Sequence, residues 1–564
     1  MTRKLIVLGA VAALVGLGAC ERNLEVTNPN SGDTKRVLGT PNDAEALLGT
    51  YYRRWHSGVY GTTGLANLEG MANVMSLMNT SSLANNCQNQ RTPFTGATNA
   101  NSPGNSCQGE QLRLYSVLGE VSRVASSFLG QQAAGLTLGT PARDARAKAF
   151  AEFLRGMSFG YVALMHDSGS VITQATDAQD PGKLVGYKTL ADSAYAALDR
   201  AIAATNLAAT GSDGFPLPTA WIPSPTSFSK VEFVKLIRSY RARIRANLAR
   251  TPAERAAVDW TAVIADAQNG ITADHLNTTS TTAGPYNPWR AQYATFGLWH
   301  QMTPFIIGMA DTSGSYAAWI AQPVGERGSG NASFFLATPD QRFPQGTTRA
   351  AQQADFAIAS CQGAALACKR YFVNRPAGGD QFAGAGFGFS NYDFVRFHSW
   401  AISGDGTARN GNTVFFTKAE IDMLQAEGLY RTQRFAEAGA LVNVTRTRNG
   451  LPAITAFDAT TAVPGGTACI PKVPVGPAFT TVACGNLLEA LKYEKRIETA
   501  FTTYAPWYLD MRGWGDLPAD TPTFWAVPYQ DLQARGIATS AIYGTGLGAG
   551  NAVGSVAVKG TYGW

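Results

Sequence analysis

The stretch Thr417–Pro452 reads TKAEIDMLQAEGLYRTQRFAEAGALVNVTRTRNGLP. Thr417 and Glu420 have the spacing of a capping box, so a helix is predicted from there to about Tyr430. A second helix is predicted from Phe435 to Arg448, where Asn449-Gly450 and then Pro452 stop it. From Thr417 to Gly450 the unit is 34 residues long, the period of a tetratricopeptide helix hairpin. Such a hairpin cannot bury its apolar face alone and needs neighbours of the same kind.

Further hairpin signals stand upstream. Ser229 and Glu232 repeat the capping-box spacing, and Phe233, Leu236, Ile237, Tyr240, Ile244 and Leu248 then line one helical face. The opposite face carries Arg238, Arg241, Arg245 and Arg250, read as a solvated or ion-paired surface rather than an anion site. Thr251-Pro252-Ala253-Glu254 restarts a helix at once, and Gly270 ends it. Amphipathic helices are also predicted over Lys148–His166 and Tyr187–Ala203, with others from Thr40-Pro41 to about Trp55, over Gln111–Leu129 and near Leu68–Met78. Between 271 and 416 helical periodicity fades, with short strands predicted at Tyr371–Val373, Phe394–Phe397 and Val414–Phe416. The last strong helix signal covers Leu487–Tyr504. The fold class expected is therefore mainly α. Tetratricopeptide-like hairpins form a scaffold, and an irregular, loop-rich middle adds few short strands. The expected organisation is one domain over 40–564, with a helical part 40–270, an irregular ligand-surface part 271–416 and a helical part 417–564.

The N-terminus reads differently. Arg3 and Lys4 precede an apolar run from Leu5 to Leu17, too short for a membrane span, which needs roughly 20 apolar residues. Leu17-Gly18-Ala19-Cys20 follows and looks like a bacterial lipobox. That likeness implies removal of residues 1–19, a lipid on Cys20, and residues 20–39 as a tether. Cleavage removes two cations and no acid, taking the formal net charge from +6 to +4. So mild a charge, without a basic run, argues against nucleic acid as partner. Of seven cysteines, six then remain, in three sequence-local pairs: Cys87 with Cys107, Cys361 with Cys368, and Cys469 with Cys484. An even remainder in an exported chain points to disulfides. No cysteine–histidine spacing suits a metal, and no cofactor is expected.

The C-terminal motifs carry a family likeness. Val442-Asn443, Arg446, Arg448 and Gly450-Leu451-Pro452 end the 34-residue unit. Glu494-Lys495-Arg496-Ile497-Glu498 follows, then Leu509-Asp510-Met511-Arg512-Gly513-Trp514-Gly515 and Trp525-Ala526-Val527-Pro528. With Pro339-Asp340-Gln341-Arg342, Tyr392–Phe397 and the lipobox, this set resembles the SusD/RagB family over nearly the whole chain. Two positions depart from the pattern: Gly513, where a basic residue is common, and Trp507, where an arginine is expected. The resemblance implies a nutrient-binding lipoprotein on the outer face of the outer membrane. Such a protein captures oligosaccharide or peptide and passes it to a TonB-dependent, SusC-like transporter. It implies no bond chemistry.

The residues themselves place two candidate sites. Glu494, Arg496 and Glu498 lie within about one helical turn. They are read as an ionic cluster reaching Asp510 and Arg512 across a fold-back at Pro506, rather than as acid–base carboxylates. The ligand surface is expected in the segment 286–319, which holds eight aromatics in 34 residues against 10% for the chain. Flat rings meet the apolar faces of sugars, and amide and guanidinium groups meet their hydroxyls. Trp289 is the first candidate and Trp299 the second, with Tyr286, Arg290 and Trp319 beside them. Asn73 is a weaker candidate at the rim. No HExxH, GxSxG or P-loop motif occurs. A surface glycoside hydrolase and a helical scaffold that holds other proteins are the competing expectations.

Overall fold

The structure is a computed structural model that describes residues 39–61, 68–81, 101–105, 107–177, 180–211, 213–280, 284–285, 300–323, 334–355, 370–375, 390–401, 410–519, 521–537 and 560–564. The helices include α1 (Pro41–Tyr60), α2 (Leu68–Met75), α3 (Gln108–Ala133), α4 (Pro141–Met165), α5 (Tyr187–Leu207), α6 (Lys230–Asn247), α7 (Pro252–Ala256), α8 (Trp260–Gln268), α9 (Lys418–Arg431), α10 (Phe435–Arg448), α11 (Leu487–Thr499) and α12 (Pro506–Trp514). Among the described residues ten short strands form five two-stranded antiparallel ribbons. These are β1 (Asn79–Ser81) with β5 (His300–Met302), β2 (Ser168–Ser170) with β3 (Leu184–Gly186), and β4 (His275–Thr279) with β8 (Gly411–Phe416). The others are β6 (Phe372–Asn374) with β7 (Tyr392–Phe394), and β9 (Lys472–Val475) with β10 (Thr481–Cys484).

The helices stack as a continuous array. α1 packs on α3, α3 on α4, α4 along α5, α5 on α6, α6 on α8, α8 on α9, and α9 on both α10 and α11. The array thus runs from α8 to α9 across the irregular middle. β4 and β8 explain how the chain leaves and returns at one place, with His275 opposite Phe416 and Thr279 opposite Gly411. Helical periodicity fades after 270 because the chain departs from the stack there and rejoins it at Thr417. The buried core is continuous from Ala44 in α1 to Trp564. A second cluster sits between α9, α10 and α11, around Met423, Val442 and Leu491.

Three local expectations change. At Thr417 only half of the capping box forms. Its Oγ1 accepts from the Glu420 N–H at 3.0 Å, but the Glu420 side chain turns to Arg243. At Ser229 both halves form, at 3.2 and 2.9 Å. The helix expected over 251–270 breaks in two, because Asp259 caps a fresh start by accepting from the Ala262 N–H at 2.9 Å. The helix expected to reach Tyr504 ends at Thr499, since Phe501 and Ala505 take left-handed φ values of 53° and 47°. The Arg496 carbonyl, one of those left unpaired by that ending, accepts from Trp507 Nε1 at 2.7 Å.

Cys469 and Cys484 are disulfide-bonded with Cα atoms 5.7 Å apart, and Cys107 is disulfide-bonded as well. Cys20, Cys87, Cys361 and Cys368 lie outside the described residues. Among the described residues no helix is long and apolar enough to cross a membrane.

Candidate functional site

The arginines of α6 knit the array together. Arg241 donates to both Asp266 oxygens on α8 at 2.8 and 2.5 Å, with Arg238 and Arg245 each 3.5 Å from the same carboxylate. Arg243 donates twice to Glu420 on α9 at 2.7 Å. On α7, Arg255 reaches Glu427 at 2.9 and 2.5 Å and Asp510 at 3.2 Å.

The motif residues of α11 also form buried ion pairs, with partners other than those expected. Glu494 accepts from Arg342 at 2.8 Å. Glu498 gathers Arg342 at 3.3 Å, Arg448 at 2.9 Å, Asn449 at 3.1 Å and the Tyr371 hydroxyl at 3.0 Å. Arg496 pairs with Asp516 and donates to Tyr562 at 3.2 Å. It is Lys495 that reaches Asp510, at 2.7 Å, while Arg512 donates to the carbonyls of Thr523 and Asn247, both at 2.8 Å. The cluster therefore ties α11 to the Pro339–Arg342 turn and to α10, as well as to α12. Burial pushes the Glu494 carboxyl up, against Arg342 and Arg446. Burial also acts against the Glu498 charge, but Arg396, Arg342 and Arg448 together hold that carboxyl below its ordinary value. Two carboxylates shifted apart are a mark of acid–base sites. Here both are fully buried, so the shifts report how many cations each one has.

The ligand candidates divide. Tyr286, Trp289, Arg290 and Trp299 lie outside the described residues. Trp319 is 3% exposed and packs edge-on against Phe305 at 4.8 Å and Phe334 at 6.0 Å. Phe305 and Tyr316 are fully buried. The later part of the aromatic segment is thus core filling, which the run of rings alone could not separate from a ligand face. Asn73, in α2, is also fully buried, and neither polar atom of its side chain has a hydrogen-bond partner among the described residues. Among the described residues no three His, Cys, Asp or Glu side chains converge as a metal site.

A cleft of about 720 Å³ that the sequence did not signal opens between α3, α4, α5 and residues 171–175. Inside it the buried Glu152 accepts from Arg155 at 2.6 Å and from Arg200 at 2.9 Å, and Arg155 donates to Gln174 at 3.2 Å.

No protein-family model matches the chain, and no curated protein does. Solved structures match over most of its length. A SusD superfamily protein from Parabacteroides distasonis is 10% identical, with a TM-score of 0.52 over 88% of this chain and 98% of that one. One from Bacteroides vulgatus is 11% identical, with a TM-score of 0.49 over 88% and 97%. A chitin-binding SusD homologue from Flavobacterium johnsoniae is 10% identical, with a TM-score of 0.45 over 84% and 88%.

The chain has the SusD fold. Its two departures from the SusD motif pattern have a local cause. A Cβ at Gly513 would stand 3.0 Å from Arg255 Cδ and 3.3 Å from the Ala249 carbonyl, so the Arg255 side chain fills that space. At position 507 the indole serves the end of α11, as above, and is buried.

Proposed function

We propose that this chain is a lipid-anchored binding protein of the outer face of the outer membrane. It captures an oligosaccharide, or else a peptide, and passes it to a TonB-dependent, SusC-like transporter. The step is binding and hand-over, with no bond made or broken. The SusD fold is the observation that carries this reading. A fold does not dictate function by itself, and two features of the sequence act with it. The Leu17–Cys20 lipobox supplies export and an anchor, since two or more acyl chains hold a protein stably on a membrane. The segment 286–299 supplies Tyr286, Trp289, Arg290 and Trp299, rings and polar groups suited to sugars. The most prominent paired carboxylates, Glu494 and Glu498, are spent in buried ion pairs, which favours binding over hydrolysis.

Isothermal titration of the full chain against a panel of glycans and peptides tests the reading. Saturable binding to one class is expected, weakened in Trp289→Ala and Trp299→Ala. Absence of binding by the folded protein, or release of shorter products from a polysaccharide, would overturn it.

A further inference from the structure

The cleft beside α4 and α5 continues toward the end of α5. A second cavity of about 510 Å³, reaching Asp144 and Leu207, shares Gln132, Lys148 and Arg200 with the first. Together they make a groove along α4 from Asp144 to Phe159, roughly 22 Å at the helical rise, which about seven residues of extended peptide would span.

Its charge is one-sided in the larger cavity. Lys148, Arg155 and Arg200 line that cleft against the single carboxylate of Glu152. Glu152 is shared by two guanidinium groups, and Arg155 Nε is buried with no hydrogen-bond partner among the described residues. Burial lowers the Arg155 guanidinium from its ordinary value despite Glu152. Arg200 is 48% exposed and engages Glu152 through Nε, and its two terminal nitrogens make no hydrogen bond among the described residues. Lys148 is exposed and makes no ion pair among the described residues. Asp144, at the far end, is occupied by the Leu138 N–H at 2.6 Å and the Thr137 hydroxyl at 2.8 Å.

The walls are apolar and mostly aliphatic, among them Leu129, Val171, Ile172 and Ala196, and the one aromatic ring, Phe159, is buried. No flat ring is offered to a sugar. The groove ends at Leu207, 85% exposed, beside Lys230 Nζ, which is bonded to the Asn206 and Ala208 carbonyls at 2.9 and 2.5 Å; Val231, next to Lys230 in the chain, is 63% exposed. An aliphatic patch beside a cationic groove complements a polypeptide better than a saccharide.

We propose that this groove docks an extended acidic segment of a partner protein, with carboxylates on Lys148 and Arg200 and an aliphatic side chain on Leu207. Glu152 is a positioning residue that holds both arginines in place. None of the residues that line the groove belongs to 286–299, so the proposal rests on residues other than those of the ligand reading.

Fluorescence anisotropy of the full chain tests it, with a labelled, blocked seven-residue peptide alternating glutamate and leucine. Saturable binding is expected, with none of the lysine-for-glutamate peptide. Lys148→Gln and Arg200→Gln should each weaken it by about threefold to tenfold. Leu207→Ser should weaken it as well, and all three should keep the parent's circular dichroism. Lys148→Glu combined with Arg200→Glu should transfer the preference to the basic peptide. Three results would overturn the proposal: no saturable binding, binding indifferent to Lys148→Glu, or displacement by oligogalacturonate at lower concentration than by unlabelled peptide. The last would make the groove a saccharide subsite.

Discussion

Arg243 of α6 and Glu420 of α9 face each other through two 2.7 Å hydrogen bonds, 177 residues apart in sequence, each side chain only 2% exposed. Arg243 also donates to Tyr161 at 3.1 Å and lies 3.4 Å from the Phe416 ring centroid. The pair therefore joins the two halves of the helical array at the place where the irregular middle leaves and returns. Burial opposes the Arg243 charge, and the Glu420 carboxylate, together with Tyr161 and Tyr240, more than offsets it.

Removing one partner should cost far more than removing both. Glu420→Ala leaves a buried guanidinium unpaired and should destabilise the fold by about 3–5 kcal/mol. Arg243→Met combined with Glu420→Leu removes both charges and should lie closer to the parent. Urea unfolding of the three proteins checks this, and equal losses in the single and double variants would contradict it.

Gly156 lies where α4 meets α5. A Cβ there would stand 2.7 Å from Leu198 Cγ and 3.1 Å from the Ala194 carbonyl. Alanine favours a helix interior by about 1 kcal/mol over glycine, whereas overpacking a fixed interface costs about 1–3 kcal/mol. The backbone carbonyl cannot move aside as a flexible side chain would. Gly156→Ala should therefore lower the melting temperature, a net loss measurable by calorimetry.

Two carboxyl groups should pull the pH dependence of stability in opposite directions. Burial acts to raise the Glu427 carboxyl, but Arg255, with Lys495 and Arg431, holds it at about 2, below its ordinary 4.5. Its contribution is present above the ordinary value and is lost as pH falls from about 4.5 to about 2. Burial pushes Asp167 up to about 6 from 3.8, so its contribution is full below the lower value and is lost as pH rises through the higher one. In melting curves across pH, Glu427→Gln should be less stable than the parent at neutral pH, with the gap closing in acid. Asp167→Asn should be more stable at neutral pH, with its gap closing below about pH 4.

The proposed anchor is testable without any ligand. Cys20→Ser should abolish palmitate labelling and move the protein from the membrane fraction to the soluble fraction after export. Retention in the membrane fraction would show that another feature holds it there.

The helices that pack by their own amphipathic faces were legible in advance. α10 falls on its predicted residues, and α6 has its reciprocal cap at Ser229. Periodicity and capping are local, so residues a few positions apart state them. Misplaced ends, at 256–260 and after Thr499, lie where a cap or a left-handed residue overrides a continuing helical pattern. The ion pairs were legible as residue types but not as partners. Glu420 was in reach of its own cap and also of Arg243, and only the approach of α6 to α9 selects the second.

By itself the sequence determined the hairpin period at Thr417–Gly450, the mainly helical class, the lipobox-like stretch Leu17–Cys20 and the motif set that resembles SusD-like proteins. All of these depend on residues close together along the chain. Tertiary structure alone decided that α8 continues into α9, that the rings of Phe305, Tyr316 and Trp319 are core, and that Lys148, Arg155 and Arg200 line one groove. Those relations join residues that meet only when apolar faces are buried against each other, and desolvation then fixes which charge pairs with which.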